Sequence, residues 1–179
     1  MSVAEEVFAA EGYQAVSMDD IAQRVGLSKP MLYEYFGSKD GLLLASIERA
    51  KRGLLDATTA AATAHAGEHE QLLYDCLLAF FRFTDEHRQA WALLRHEQTM
   101  PTEPVNTGLE SIREQQTRFT AGLLETTRPD LDPVRLEAFA EAIIGACERM
   151  ALWRENRPEI TPQDATEHLM ALVGRNLRV

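Results

Sequence analysis

The sequence predicts an all-α protein of about nine helices, with a short three-helix module at the N-terminus and a longer helical body behind it. Three observations predict it. Apolar residues recur at helical spacing through almost the whole chain, and runs of alternating, β-branched strand pattern are absent. The breaks between periodic stretches carry glycine early (Gly12, Gly26, Gly37, Gly67) and proline late (Pro101, Pro104, Pro129, Pro133, Pro158, Pro162). At 179 residues and 45% hydrophobic, the chain has enough apolar side chain to close a core, which excludes a disordered protein.

Taken in order, Val7 to Ala10 form a first helix close to Met1, ended near Gly12. Ser17 with Asp20 three residues later makes a capping-box start for a second helix, whose inward stripe is Ile21, Ala22 and Val25. Gly26 supplies the left-handed backbone of a tight turn, and Leu27 is expected to plug the angle between the helices. Ser28 then caps a third helix with Pro30 in its first turn, where a missing amide donor is tolerated. Leu32 and Phe36 form its inward side, leaving Lys29, Met31, Tyr33 and Tyr35 outside or nearly so, where aromatic rings have no packing reason to be.

Leu43, Ile47, Ala50 and Leu54 continue the periodicity, and the Ala/Thr-rich stretch 57–66 reads as a helix end. Leu73, Leu77, Phe80, Phe81 and Thr84 mark the next helix. The last two helices have the clearest bounds: Asp132 caps one with Pro133 in its first turn, running to about Arg154, and Thr161 caps another with Pro162, running to about Leu177.

Charge divides the chain. The 28 Asp plus Glu against 18 Lys plus Arg leave a net charge of -10, which excludes nonspecific coating of nucleic acid and requires any DNA contact to be local. Every lysine lies within the first 51 residues, and residues 24–52 carry six basic side chains against Glu34, Asp40 and Glu48. From residue 53 onward 12 Arg face 20 acids, so a locally basic module precedes an acidic body, the pattern of a nucleic-acid reader joined to something else.

Cys76 and Cys147 are too far apart for a zinc knuckle and too few for a disulfide framework, which points to a reducing compartment. With no basic leader and no apolar run of membrane-spanning length, a soluble, cytoplasmic protein without membrane contact is expected. No phosphate loop, nucleophile elbow or HExxH motif occurs. His65 and His69 are four apart but separated by Gly67, and His87 and His96 lack a third spaced ligand, so neither catalysis, a metal nor a cofactor is expected. Cys147, in an apolar run, reads as an inert core thiol.

Gly12-Tyr13, Ser17, Asp20-Ile21-Ala22, Val25-Gly26-Leu27-Ser28-Lys29, Leu32-Tyr33-Glu34-Tyr35-Phe36 and Ser38-Lys39-Asp40-Gly41-Leu42 together resemble the DNA-binding domain of the TetR family of transcriptional regulators, over about residues 3 to 48. The resemblance implies a helix-turn-helix DNA-binding domain over 1–48 and an effector-binding and dimerisation domain over 49–179. It implies DNA contacts at Ser17, at the Ser28 cap, at Lys29, Pro30, Met31 and Tyr33 on the front of the recognition helix, and at Tyr35 and Lys39 as phosphate partners. Tyr13 and Phe36 are expected in the core. Arg24 has two open readings, a backbone contact or an exposed pair with Asp20 one turn earlier.

One departure from the family pattern is the lack of Lys or Arg before Arg24. It gives the expectation that the chain is truncated or starts late relative to its relatives, and that an added basic segment would strengthen DNA binding.

For the body, the resemblance implies a pocket that responds to an effector. Candidate lining residues are Leu77, Phe80, Phe81 and Thr84, then Trp91, Phe119 and Leu123, then Ile143, Cys147 and Met150. Arg95, Glu97 or Thr84 could anchor a polar group of an otherwise hydrophobic small molecule. The penultimate helix is apolar on more than one stripe through Leu136, Phe139, Ala140, Ile143, Ile144, Cys147, Met150 and Ala151. With Ala165, Leu169, Leu172 and Val173 of the last helix, it is expected to form a homodimer interface.

The functional expectation is a repressor that binds a palindromic operator as a dimer and is released by a small hydrophobic effector; activation is an open alternative. A second reading, favoured by the charge of -10, is a helical ligand-binding protein or small enzyme whose N-terminal hairpin mediates protein contacts.

Overall fold

A computed structural model describes residues 2–64, 69–95 and 103–177 of the chain. These form nine α-helices and no strand: α1 (Ser2–Glu11), α2 (Met18–Val25), α3 (Lys29–Phe36), α4 (Lys39–Ala64), α5 (His69–Glu86), α6 (Arg88–Arg95), α7 (Glu103–Thr127), α8 (Pro133–Arg154) and α9 (Pro162–Leu177). The all-α class and the helix number follow the sequence expectation. None of the helices is long and apolar enough to cross a membrane, among the residues described.

Local chemistry sets the helix ends. At α2, Ser17 and Asp20 form a complete capping box, the Ser17 hydroxyl accepting the Asp20 amide at 3.2 Å while the Asp20 carboxylate accepts the Ser17 amide at 3.0 Å. Those two bonds satisfy donors that a helix start leaves orphaned. Gly26 ends α2 in the left-handed region, at φ 73, a conformation that costs a side-chain-bearing residue about 1 kcal/mol or more. Ser28 caps α3, with Pro30 in the first turn. Asp132 accepts the Arg135 amide at 3.1 Å to start α8, and Thr161 and Asp164 cap α9 reciprocally.

The chain divides into two compact units, one comprising Met1–Gly53 with His87–Ile112, the other Leu54–Glu86 with Arg113–Val179. In the first, α1 packs on α2 and α6, and α2 packs on α3. Its core gathers Val7 and Phe8 from α1, Ile21 and Ala22 from α2, Leu32 from α3, Leu42, Leu43 and Ile47 from α4, and Leu93 from α6. The short helix α6 therefore completes the core beneath the helix-turn-helix. In the second unit, α5 packs on α8 and α9, which also pack on each other. Phe81 and Leu169 are fully buried there, with Phe80 meeting Phe81 edge-on at 5.2 Å between ring centres.

The structure corrects the expectation for Leu27, which does not plug the corner between α2 and α3 but is 37% exposed. Its backbone amide does the closing instead, donating to the Ala22 carbonyl at 3.1 Å. The apolar filling comes from Ile21, Ala22 and Leu32 on the helices themselves.

Candidate nucleic-acid interface

The third helix, eight residues or about 12 Å long, is short enough to lie in a DNA major groove. It is held to the core by Leu32, only 2% exposed, and by half-buried Phe36. Around that anchor the other side chains stand out: Met31 is exposed, Tyr33 is 44% exposed and Tyr35 is 70% exposed. Two tyrosines and a methionine in water on an eight-residue helix lose apolar burial that the fold could have used, so packing does not account for them.

Lys29 opens the helix and is exposed, as are Ser28 and Pro30. Its ammonium lies 2.6 Å from an Asp19 carboxylate oxygen, across from the first turn of α2. The hydrogen bond to Asp19 first, and the carboxylate charge second, hold Lys29 above the ordinary lysine range. Lys29 and Tyr33 are one turn apart and share a face.

Ser17 presents its hydroxyl at the start of α2, but both of its donors are engaged: the amide and the hydroxyl go to the same Asp20 oxygen, at 3.0 and 2.6 Å. A phosphate at this position would compete with Asp20. The Asp20 carboxyl is held low mainly by its Ser17 hydrogen bonds. Of the two readings open for Arg24, the pair with Asp20 is not the one formed. Asp20 is spent on the cap, and Arg24 reaches instead to Glu11 of α1.

Lys39, in the first turn of α4, has its ammonium 4.3 Å from the centre of the Tyr13 ring. The Tyr13 hydroxyl donates to Asp40, and the ring stacks on Phe8 at 6.2 Å. Burial first, then the Asp40 carboxylate, push the Tyr13 phenol up to about 12. Tyr13 is thus half-buried as well as bonded, tying the loop after α1 to the head of α4 and carrying Lys39 on its face. This arrangement spans 27 positions and left no local signal in the sequence.

The effector-lining candidates fall in both units. Leu77, Phe80, Phe81 and Thr84 on α5, Phe119 and Leu123 on α7, and Ile143, Cys147 and Met150 on α8 belong to the second unit. Trp91 does not, because α6 lies in the first unit, where it is buried. Of the candidates in the second unit, Phe119, Leu123 and Met150 are half-buried and the rest buried. Thr84 donates its hydroxyl to the Phe81 carbonyl at 2.8 Å, so towards a ligand it could only accept. Both thiols are buried; burial pushes Cys76 up to about 11 and raises Cys147 as well, so neither is a nucleophile at neutral pH. Glu97, His65 and His96 lie outside the described residues, as does the side chain of His69. Among the described residues no three metal-binding side chains come together.

One buried arginine went unmarked in the sequence. Arg154, at the end of α8, forks onto Asp85 of α5 at 2.9 and 3.3 Å, donates to the Ile160 carbonyl at 3.1 Å, and lies over the Phe81 ring at 5.7 Å. On α8, Leu136, Ala140, Ile143, Cys147 and Ala151 face inward while Val134, Phe139 and Trp153 are exposed. On α9, Leu172 is 65% exposed.

A capped helix-turn-helix presenting exposed aromatics and a lysine, followed by a helical body, defines the class of helix-turn-helix transcriptional regulators. Residues 1–46 match the family described as bacterial regulatory proteins, tetR family, and residues 69–175 match the tetracyclin repressor-like C-terminal domain. The chain belongs to the TetR family.

The HTH-type transcriptional activator FasR of Mycolicibacterium smegmatis is 39% identical over 101 residues, 56% of this chain and 45% of that protein. The HTH-type transcriptional regulator BetI of Agrobacterium fabrum is 31% identical over 131 residues, 72% of this chain and 63% of that protein. These alignments span about half to two-thirds of the length of the curated relatives. A solved TetR-like transcriptional regulator from Rhodococcus sp. RHA1 is 32% identical with a TM-score of 0.76, covering 98% of this chain and 91% of that one. These relatives are named as transcriptional regulators.

Proposed function

We propose that the protein is a dimeric repressor that reads a palindromic operator with α3 and releases it when a small hydrophobic effector binds. The observation that carries the reading is the recognition helix itself: Leu32 buried, with Met31, Tyr33 and Tyr35 standing exposed around it. Met31, Tyr33 and Lys29 are the base-edge candidates, with Pro30 against the groove floor. Ser17, Ser28, Tyr35 and Lys39 are the phosphate candidates, Lys39 being presented on the Tyr13 ring.

Residues 1–48 form the DNA-binding domain in this reading, and 49–179 the effector and dimerisation domain, of which α6 is one part that belongs to the first unit. The apolar cluster of α5, α7 and α8 suits a hydrophobic ligand, with Thr84 as an acceptor. The exposed Phe139, Trp153 and Leu172 support pairing of two copies through α8 and α9, and a two-fold pair carries two recognition helices.

Tyr33→Ala tests the assignment. Tyr33 faces outward, so the variant should keep its melting temperature, as exposed substitutions change stability by about 0.5 kcal/mol or less. Operator affinity should fall by about tenfold or more, the loss typical of one base contact. Unchanged affinity in a mobility-shift assay would remove Tyr33 from the interface.

The likeness to FasR, an activator, favours a second sign for the same machinery, with DNA binding recruiting transcription rather than blocking it. Transcription from a promoter carrying the operator, with and without the protein, separates the two.

A further inference from the structure

The basic side chains near the reading surface are each held by a group of the protein itself: Lys29 by Asp19, Arg24 by Glu11, and Lys39 by the face of the Tyr13 ring. The Lys29 pair differs from the others, because it joins the first residue of the recognition helix to the first turn of the preceding helix. Both partners are exposed, with 46% and 65% of their side-chain surface in water. Such a pair is weak and exchanges readily. It therefore contributes little to folding, and its consequences belong to what approaches from solvent.

An ammonium carries three donors and a carboxylate none. With one donor on Asp19, Lys29 keeps two for a base edge, whose oxygen and nitrogen acceptors are neutral. A backbone phosphate is an anion, and capturing Lys29 there brings the phosphate close to the Asp19 carboxylate, which also loses its partner. The two modes of binding DNA are therefore penalised unequally.

We propose that Asp19 is a specificity-determining residue of the DNA interface, admitting Lys29 to a base edge while making its capture by backbone phosphates unfavourable. The proposal rests on the DNA-binding reading above. In a protein with a net charge of -10, weak nonspecific binding follows from such local screening as well as from the overall charge.

The test compares wild type, Asp19→Asn and Lys29→Gln on a duplex carrying the selected operator and on a scrambled duplex of the same length, over a salt series. For Asp19→Asn, binding to the scrambled duplex should tighten about tenfold at low salt, with the salt dependence steepened by about one ion, while operator affinity changes by less than about threefold. Equal effects on both duplexes, or none on either, would overturn the proposal.

Lys29→Gln supplies an independent reading that does not depend on removing the acid. It should weaken operator binding while leaving the salt dependence on the scrambled duplex unchanged. A flatter dependence by about one ion would place Lys29 on a phosphate already and overturn the proposal. If wild type bound neither duplex at low salt, the DNA-binding reading itself would fall, and the proposal with it.

Discussion

Arg154→Ala is expected to lower the melting temperature by roughly 5–10 °C, a loss of about 2–3 kcal/mol for a domain of this size. The substitution removes a forked pair with Asp85, a hydrogen bond to the Ile160 carbonyl, and the guanidinium face on Phe81 in one step. Three elements lose their common tie: the end of α5, the end of α8, and the turn that leads into α9. The loss stays below that of a fully buried ion pair because Asp85 has 46% of its side-chain surface in water and recovers hydration. Arg154→Lys keeps the charge but lacks the planar fork, and should recover less than half of the lost stability. Calorimetry of the three proteins decides it, and an unchanged melting temperature for Arg154→Ala would show that the tie is not structural.

The second large effect separates two adjacent residues. Leu32→Ala opens a void under the recognition helix, where the side chain is 2% exposed and meets the core of α1, α2 and α4. Truncating a buried leucine costs about 2–5 kcal/mol, so the first unit should lose stability and DNA binding together. Tyr33→Ala, one position on, should lose DNA binding alone. Thermal melting followed by circular dichroism, alongside mobility shifts, distinguishes the two. Equal loss of stability in both variants would mean that α3 is seated differently in the fold.

What could be read from the chain was local. The caps at Ser17, Ser28, Asp132 and Thr161 are legible because a cap and the amide it accepts lie within three residues. The inward stripes of α2, α4, α5 and α8 are legible because their period is that of the helix. The long-range ion pairs are not: Lys29 reaches back 10 positions to Asp19, Arg24 reaches 13 to Glu11, and Arg154 reaches 69 to Asp85. No spacing rule connects residues brought together by tertiary packing.

Arg24 is one case: an acid lies one turn away, but the capping box engages it and Arg24 pairs with Glu11. Trp91 shows another. The apolar stripe of α6 says that the helix is buried on one side, but not in which core, and Leu93 places it with the helix-turn-helix. Leu27 is a third case: a hydrophobic residue after a left-handed glycine suggests a plug, whereas the side chain is exposed and its amide closes the turn.

For the DNA interface, the sequence supplied the residue types and the structure supplied their exposure and their partners. Lys29, Met31, Tyr33 and Tyr35 stand out in the sequence because they fall on the outward face of a capped helix, where the two tyrosines lack a packing role. Asp19, which controls how Lys29 is presented, carried no such signal.

The central claim, that two copies of α3 read one two-fold symmetric DNA site, is tested most directly by selecting bound duplexes from a random DNA pool with the purified protein at low salt. The account predicts enrichment of a palindrome whose half-sites are centred about one helical turn, roughly 10 base pairs, or a multiple of it apart. Enrichment of nothing, or of a site without two-fold symmetry, would contradict it.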